Sequence, residues 1–408
     1  MANILLITES FPDDLSSGAH IRVHNFVREL VKYDDCFLVY LDEGPEERGA
    51  PEDLGLIDTC VLPAIPRSDK ASLGYFRFSD ASLLRRAYPN YLREARSTVN
   101  SLMQRWNIDL IICLAPITAE IVIEQEIPKL LDCCDSRVLA HRRMMANRAV
   151  KMPLLERLTK YIVHGRQRLR ERSLVRSFDY TTTISEADKK CLIEIAHVDD
   201  DVVKVVANGV SEKALKSQIQ LEQRRRSVVF WGNLDFPPNW TAVEYFHNEI
   251  YLPYLMGRGI EWHIIGSGAS ESVEQLANHP GIHVHGYVDD LYEEIACHGA
   301  MVNPMVEGGG MKNKVLEAFA CRLPVVSTPM GVDAVGGESG KHCLVANSPE
   351  EFAEAVIRIL DDPKLASNIT ANAREFVEKN YRWDIVGAQL QEIVRIALDG
   401  PMLSRSPA

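Results

Sequence analysis

Several common signatures are missing from this 408-residue sequence. Its nine cysteines are odd in number, none stands in C-x-x-C spacing, and most lie in apolar surroundings. That pattern excludes a disulfide framework and a thiolate zinc site, and points to buried free thiols in a reducing compartment. The twelve histidines show neither H-E-x-x-H nor another ligand spacing, so no metal site is expected. His283 and His285 fall on one face of a strand candidate and read as structural. No apolar run is long enough to cross a bilayer; Ile108 to Ile123 is interrupted by Asp109, Pro116 and Glu120. The amino terminus lacks a basic region and soon meets Glu9, Asp13 and Asp14, so it reads as a first strand and not as a signal peptide. Basic residues are outnumbered, 45 to 57, and the formal charge of -12 argues against a general nucleic-acid binder. No solenoid-length repeat is visible, and 24 glycines with 20 prolines leave no room for a collagenous or low-complexity reading.

What remains is a chain with 46% hydrophobic residues, ample for two cores, in which short apolar runs alternate with longer amphipathic ones. That alternation is the pattern of an α/β protein with parallel sheets. The first half offers strands at Ile4–Thr8, Cys36–Tyr40, Leu110–Leu114, Lys129–Asp132, Tyr180–Ile184 and Val203–Val206. A second unit begins at Ser227–Trp231 and continues through Trp262–Ile265, Ile282–Val284, Ala300–Asn303, Pro324–Ser327 and Cys343–Val345. Composition turns polar and charged before Arg226, which gives a first domain over 1–210, a linker over 211–226 and a second domain over 227–381. A last helix follows Arg382-Trp383-Asp384, and the tail to Ala408 is rich in Gly, Pro and Ser, so 382–408 is set apart.

The sharpest local motif is Glu307-Gly308-Gly309-Gly310-Met311-Lys312-Asn313-Lys314-Val315-Leu316-Glu317. It joins a strand to a helix, and its glycines let backbone approach a ligand closely. Amides at the start of the helix make an anion site. Two lysines in that first turn oppose the helix dipole by a few tenths of a kcal/mol up to ~1 each, which makes sense if a diphosphate sits there. A flexible loop with solvated lysines is the competing reading. Gly266-Ser-Gly268 after another strand lacks the third glycine of a dinucleotide loop and reads as a tight turn. Asp132-Cys133-Cys134-Asp135-Ser136 sets two carboxylates three apart, on opposite faces if extended, so one would face a cleft and the other cap the next segment. Ser185-Glu-Ala-Asp188 reads as a capping box. Charge is uneven as well. From Arg137 to Arg176 twelve basic residues face two acids, a net +10 that leaves -22 elsewhere. With apolar residues such as Tyr161, Ile162 and Leu169 interleaved, 137–176 suits either contact with anionic lipid or solvated helices packed on an acidic remainder.

Taken in order, the motifs resemble the family 4 (group 1) glycosyltransferases of the GT-B fold along nearly the whole chain. The matching residues are the Gly18 turn, Asn208-Gly209-Val210, Trp231-Gly232-Asn233-Leu234, Ile265-Gly266-Ser-Gly268 and Gly286-Tyr287-Val288-Asp289-Asp290. Leu316-Glu317-Ala318-Phe319-Ala320-Cys321 with Pro324-Val325-Val326, and Tyr381-Arg382-Trp383, complete the series. The resemblance implies two Rossmann-like, doubly wound parallel-sheet domains with a cleft between them and a C-terminal crossover helix returning to the first. It implies that Glu317 binds the donor ribose and that amides around Val315 and Leu316 meet the diphosphate. Backbone at Tyr287 and Val288 would recognise the base, and the Gly18 turn would approach the phosphates or sugar.

Two departures from the family pattern bear on chemistry. Counting back from Glu317 to the usual second Glu lands on Gly309, and the nearest acid is Glu307. The usual Arg and Lys after the first strand of domain two are replaced by Asn233 and Phe236-Pro237-Pro238-Asn239. Lys312 and Lys314 are therefore expected to supply the missing positive charge as catalytic groups, with Asp135 on the acceptor side. Gly232, Asn233, Glu307, Gly308, Gly309, Gly310, Met311 and Asn313 join the donor-binding set. The expected activity is a metal-independent retaining transferase of the hexosyltransferase type, with no cofactor because the nucleotide diphosphate sugar is a co-substrate. Expected partners are that donor and a saccharide or lipid-linked acceptor, as in polysaccharide or glycolipid biosynthesis, and no nucleic acid. The expected location is cytoplasmic, with peripheral contact at the inner face of the membrane through 137–176. Two alternatives stand beside it: a GT-B nucleotide-sugar epimerase, and a non-catalytic nucleotide-sugar-binding protein.

Overall fold

The computed structural model describes residues 1–13, 18–42, 54–65, 84–85, 88–146, 154–217 and 224–400. Arg148 and Lys151 of the basic segment, 218–223 of the expected linker and the tail from 401 lie outside the described residues. Contacts divide the chain into two compact units. Unit 1 comprises Met1–Arg142, Arg148–Ala207 and Val386–Ala408; unit 2 comprises Arg143–Asn147 and Asn208–Ile385.

Unit 1 is built on seven strands: β1 (Asn3–Thr8), β2 (Asp35–Asp42), β3 (Asp58–Pro63), β4 (Leu110–Cys113), β5 (Lys129–Asp132), β6 (Tyr180–Thr183) and β7 (Val203–Val205). Their order in the sheet is β3-β2-β1-β4-β5-β6-β7, and every paired neighbour is parallel. Central strands such as Leu110–Cys113 are buried on both faces, which is why they read as unbroken apolar runs. β3 is the strand the hydrophobic pattern misses. It is an edge strand, mostly half-buried, and its sequence Asp-Thr-Cys-Val-Leu-Pro carries too few apolar residues to stand out. The longer helices of this unit are α1 (Gly18–Leu30), α2 (Pro89–Trp106), α3 (Arg137–Ala146), α4 (Leu154–Ser177) and α5 (Glu186–Ala196). At the start of α5 the Ser185 hydroxyl accepts from the Asp188 amide, as a capping box requires. Asp188 turns its other oxygen to the Ser136 amide at 2.9 Å, so the cap also fixes the start of α3.

Unit 2 has six parallel strands: β8 (Ser227–Trp231), β9 (Glu261–Ile265), β10 (Ile282–Gly286), β11 (Ala300–Asn303), β12 (Val325–Ser327) and β13 (Leu344–Val345). The order is β10-β9-β8-β11-β12-β13. Its longer helices are α6 (Pro237–Tyr245), α7 (Asn313–Ala320), α8 (Pro349–Asp361) and α9 (Pro363–Asn380). One core, with Phe230, Phe246, Trp262 and Phe352, covers one face of the sheet. Another, with Val229, Trp231, Ile265 and Phe319, covers the other.

The first part of the expected linker is not a tether. Glu212–Lys216 forms a short helix capped by Ser211, and Ala214 is fully buried in the second core of unit 2. Arg374 donates to the Leu215 carbonyl at 2.7 Å, which fastens this turn to α9. Asn208-Gly209-Val210, assigned by sequence to the end of the first domain, also groups with unit 2. A Cβ on Gly209 would lie 2.4 Å from the Trp383 ring, so only glycine fits beneath that indole. The last helix, α10 (Trp383–Asp399), crosses the boundary of the units at Val386. Within unit 1 it lies against α1: Gln391 donates to Asp34 at 2.5 Å, and a Cβ on Gly387 would meet the Glu29 side chain at 2.6 Å.

Both sheets are doubly wound, and each has one place where strand order reverses, β1/β4 in unit 1 and β8/β11 in unit 2. Crevices beyond the carboxyl ends of strands at such points are where open α/β sheets bind ligands.

Candidate functional site

In unit 2 the reversal lies between β8 and β11, and the chain following each strand folds toward Lys314. After β8, Gly232 leads into a loop in which Asn239 donates to the Asn233 carbonyl at 2.8 Å. The Asn239 amide oxygen accepts from Lys314 Nζ at 2.8 Å. The same ammonium lies 4.1 Å from the centre of the Phe230 ring, a cation–π contact. A Cβ on Gly232 would come within 3.0 Å of Lys314 Nζ, so the lysine lies directly under the position after β8. Gly266, after β9, closes the floor: its φ is +152°, and a Cβ there would fall 1.8 Å from the Gly232 carbonyl oxygen. No other residue fits.

After β11 the glycine loop runs to α7. Gly308 holds φ +106° beside Pro238, a conformation open only to glycine. Glu307 accepts from the Thr241 hydroxyl at 2.8 Å. Lys312 folds back on the loop, Nζ donating to the Gly309 carbonyl at 2.6 Å. Asn313 accepts from Asn208 Nδ2 at 3.0 Å, tying the loop to the start of unit 2. Lys312 is the N-cap of α7 and supplies no side-chain cap. The Val315 amide, expected to meet a diphosphate, donates instead to the Lys312 carbonyl at 2.8 Å. The helix starts two residues earlier than that expectation needs, so the amides without an intrahelical partner are those of Asn313 and Lys314. Glu317 accepts from the Trp231 indole at 3.2 Å. Tyr287 is 75% exposed after β10, and Val288 packs against the second core of unit 2.

The electrostatics of this cluster are unbalanced. Burial, followed by the neighbouring charge of Lys312, pushes the Lys314 ammonium down to about 7, with Glu317 opposing. Burial raises the Glu317 carboxyl against the pull of Trp231, Lys314 and Tyr292. A half-buried lysine is thus held by an amide oxygen and an aromatic face, beside helix-start amides and a glycine loop. An anion placed there would meet donors on three sides.

Unit 1 carries a cavity of about 420 Å³ at its own reversal point. Residues Thr8–Pro12 after β1, Leu114–Ile117 after β4, Asp132–Asp135 after β5, and Ala19, His20, Arg137, Arg170 and Glu171 line it. The expectation that Asp132 and Asp135 face opposite ways is corrected here: both line the cavity. The strand ends at Asp132 and Cys134 takes φ 56°, so the extended premise fails between them. Asp132 is not a cap. Its carboxylate pairs with Arg22 through two bonds of 2.8 Å, with both side chains 1% exposed. Thr182 adds a third bond at 2.8 Å, and Arg22 also donates to the Val206 carbonyl at 2.8 Å. Glu171 accepts from the Ser136 hydroxyl at 2.8 Å and the Val138 amide at 3.2 Å, and burial still lifts its carboxyl to about 7. Gly18 is the exposed first residue of α1, and residues 14–17 of the turn before it lie outside the described residues.

The structure therefore gathers Gly232, Asn233, Glu307–Gly310, Lys312–Lys314 and Glu317 in unit 2, and places Asp135 in the cavity of unit 1. Sequence reasoning missed Arg22, whose partner is 110 residues away, and the cavity residues Arg170 and Glu171. It named Asn239 as a replacement for a basic residue, which is the signal that leads to the Lys314 contact.

Comparisons with known proteins bear on the fold. Residues 225–362 match the family model described as "Glycosyl transferases group 1". An uncharacterised glycosyltransferase of Methanocaldococcus jannaschii is 25% identical over 222 residues, 50% of this chain and 55% of that protein. A 44.6 kDa protein in the cps region of Klebsiella pneumoniae is 27% identical over 165 residues, 38% of this chain and 42% of its own. The chain thus spans about half the length of the curated relatives it matches. Among solved structures, Anabaena HepE in complex with UDP and glucose superposes with a TM-score of 0.66 at 14% identity, covering 97% of this chain and 100% of that one. Sucrose-phosphate synthase of Thermosynechococcus elongatus gives 0.69 at 14% identity, with 97% and 98% covered. Two parallel-sheet α/β domains in this arrangement of strands are the GT-B fold.

Proposed function

We propose that this GT-B chain, whose residues 225–362 match the group 1 glycosyl transferases, is a retaining glycosyltransferase using a nucleoside diphosphate sugar. The observation that carries the reading is Lys314, half-buried at the strand-order reversal of unit 2 with an amide oxygen and an aromatic ring as partners. A diphosphate would supply an anion in direct contact, where Glu317 acts on Lys314 only at a distance. Lys312 and Lys314 then stabilise the charge that grows on the leaving diphosphate, and the amides of Asn313 and Lys314 add neutral donors. Glu317 holds the donor ribose. The acceptor hydroxyl forms the new bond to the anomeric carbon as the bond to the diphosphate breaks, and its proton passes to the departing phosphate oxygen. No protein base and no metal ion is required in this scheme. Catalysis comes from positioning and leaving-group stabilisation.

The cavity of unit 1 takes the acceptor, with Asp135 and the basic residues Arg137 and Arg170 at its wall. A saccharide or lipid-linked acceptor suits that lining, in keeping with a role in polysaccharide or glycolipid assembly. No described helix is long and apolar enough to cross a membrane. α4 does expose Tyr161, Ile162 and Leu169, at 55%, 49% and 68%, close in sequence to Arg166 and Arg168. Apolar side chains flanked by arginines suit peripheral attachment to an anionic lipid surface.

The test is a thermal-shift series with UDP, GDP and ADP and their sugars, with and without magnesium. HepE was solved with UDP, which makes UDP the first nucleotide to try. A real ligand raises the melting temperature with concentration. A selective, metal-independent shift supports the reading; no shift with any diphosphate overturns it. Product analysis without acceptor separates transfer from epimerisation, which needs none.

A further inference from the structure

On the second-core face of the unit 2 sheet, away from the glycine loops, the β9–β10 register brings histidines together. His263 and His283 are direct partners across the two parallel strands. Glu261 precedes His263 by two residues on the same face, and His285 follows His283 by two. His263 stacks on His283 at 4.5 Å and on His285 at 5.1 Å between ring centres, and His298 lies tilted beside it at 4.3 Å.

His263 is the informative residue. It is 5% exposed, and its Nδ1 is 2.8 Å from His285 Nε2, so that nitrogen is satisfied. Its Nε2 is buried with no hydrogen-bond partner. That nitrogen lies 3.6 Å from the Glu261 carboxylate, and His283 Nε2 lies 4.0 Å from the other Glu261 oxygen. All three ligand atoms fall within 4.8 Å of one another. These spans are too long for hydrogen bonds. The 3.6 Å span is close to the separation of about 3.4 Å between two ligands that each sit ~2.05 Å from one tetrahedral ion, and the exposed His283 side chain would draw in to complete the set. In the tautomer that donates from Nδ1 to His285, the Nε2 lone pair of His263 faces a carboxylate across that gap, an arrangement that a cation between them would relieve.

We propose that Glu261, His263 and His283 form a divalent transition-metal site, with zinc as the fitting ion and water completing its coordination. Two imidazoles and one carboxylate are the donor set of a borderline ion and not of Mg²⁺ or Ca²⁺. His285 orients the ring of His263 from behind, as outer-shell partners of metal-bound imidazoles do. The ion joins the edge strand β10 to β9. Glu261 opens β9 and the glycine turn follows Ile265, about 13 Å along the strand, so the ion takes no part in transfer. The sequence hid this site because its successive ligands are 2 and 20 residues apart and meet only through strand register.

The experiment uses the full, tag-free chain stripped of metal. Titration with Co²⁺ should give one equivalent with visible d–d bands and no thiolate charge-transfer band, and Zn²⁺ should displace it while Mg²⁺ does not. Glu261→Gln and His283→Ala, both at exposed side chains, should each weaken Co²⁺ binding at least tenfold. Zinc should raise the melting temperature of the parent and not of either variant, while both keep the parent's response to nucleoside diphosphate. Absence of stoichiometric Co²⁺ binding, or a Co²⁺ site that survives both substitutions, would overturn the assignment.

Discussion

The two units share one plan and treat buried charge in opposite ways. In unit 1 the guanidinium of Arg22 is closed off by a bidentate carboxylate and a backbone carbonyl, and Asp132 is closed off in turn by Thr182. In unit 2 Lys314 sits at the equivalent reversal of strand order with an amide oxygen and a ring face for partners. The first arrangement raises the Arg22 pKa through Asp132 despite burial; the second lowers that of Lys314 to about 7. A charge compensated inside the fold holds the fold together. A charge at a sheet's ligand-binding end that makes no direct ion pair, with Glu317 acting on it only at a distance, is compensated further by what binds there.

Breaking the pair in unit 1 should have the largest effect. Arg22→Ala leaves Asp132 buried without its partner and should cost about 3–5 kcal/mol of stability by chemical denaturation. If unit 2 still folds, its response to nucleoside diphosphate persists. Lys312→Ala with Lys314→Ala should do the reverse: the melting temperature without ligand holds or rises, and diphosphate affinity falls roughly 100-fold by calorimetry, as loss of charge-assisted bonds of about 1.5–3 kcal/mol implies. Glu317→Gln should be milder, weakening the nucleotide about tenfold through the ribose.

The comparison can be sharpened by pH. Free Lys314 titrates near 7, below the ordinary 10.5 of lysine. Above 7 the unfolded chain binds a proton that the fold does not, so this group's contribution to stability increases as pH rises through that window. Binding a diphosphate requires the ammonium, so affinity should decline as pH rises through 7, by up to about tenfold per unit. Lys314→Arg should flatten that profile, since guanidinium stays charged. Smallest is the surface effect: Tyr161→Ser with Leu169→Ser should reduce co-sedimentation with anionic vesicles a few-fold and leave diphosphate affinity unchanged.

Much of this was legible in the sequence, for identifiable reasons. Strands buried on both faces, such as Ile4–Thr8 and Ala300–Asn303, are continuous apolar runs and declare themselves. The glycine loop and its lysines are contiguous, so one glance along 307–317 finds them. β3 was lost because an edge strand need not be apolar. The helix at Glu212–Lys216 was lost because its few buried residues lie in a charged stretch that reads as a linker. Arg22–Asp132, Glu171 under Ser136, and the Glu261–His263–His283 group depend on partners brought together by the sheet, and no local pattern carries that information.

The central claim is that unit 2 receives a diphosphate on Lys314 and Lys312. Its most direct test is calorimetric titration of the parent and of the Lys312→Ala, Lys314→Ala variant with a nucleoside monophosphate and diphosphate of the base selected by thermal shift. The account predicts that the parent prefers the diphosphate by tenfold or more, and that the variant loses this preference while keeping the weak monophosphate affinity. Equal affinity of the parent for both nucleotides, or a preference that survives in the variant, would contradict it.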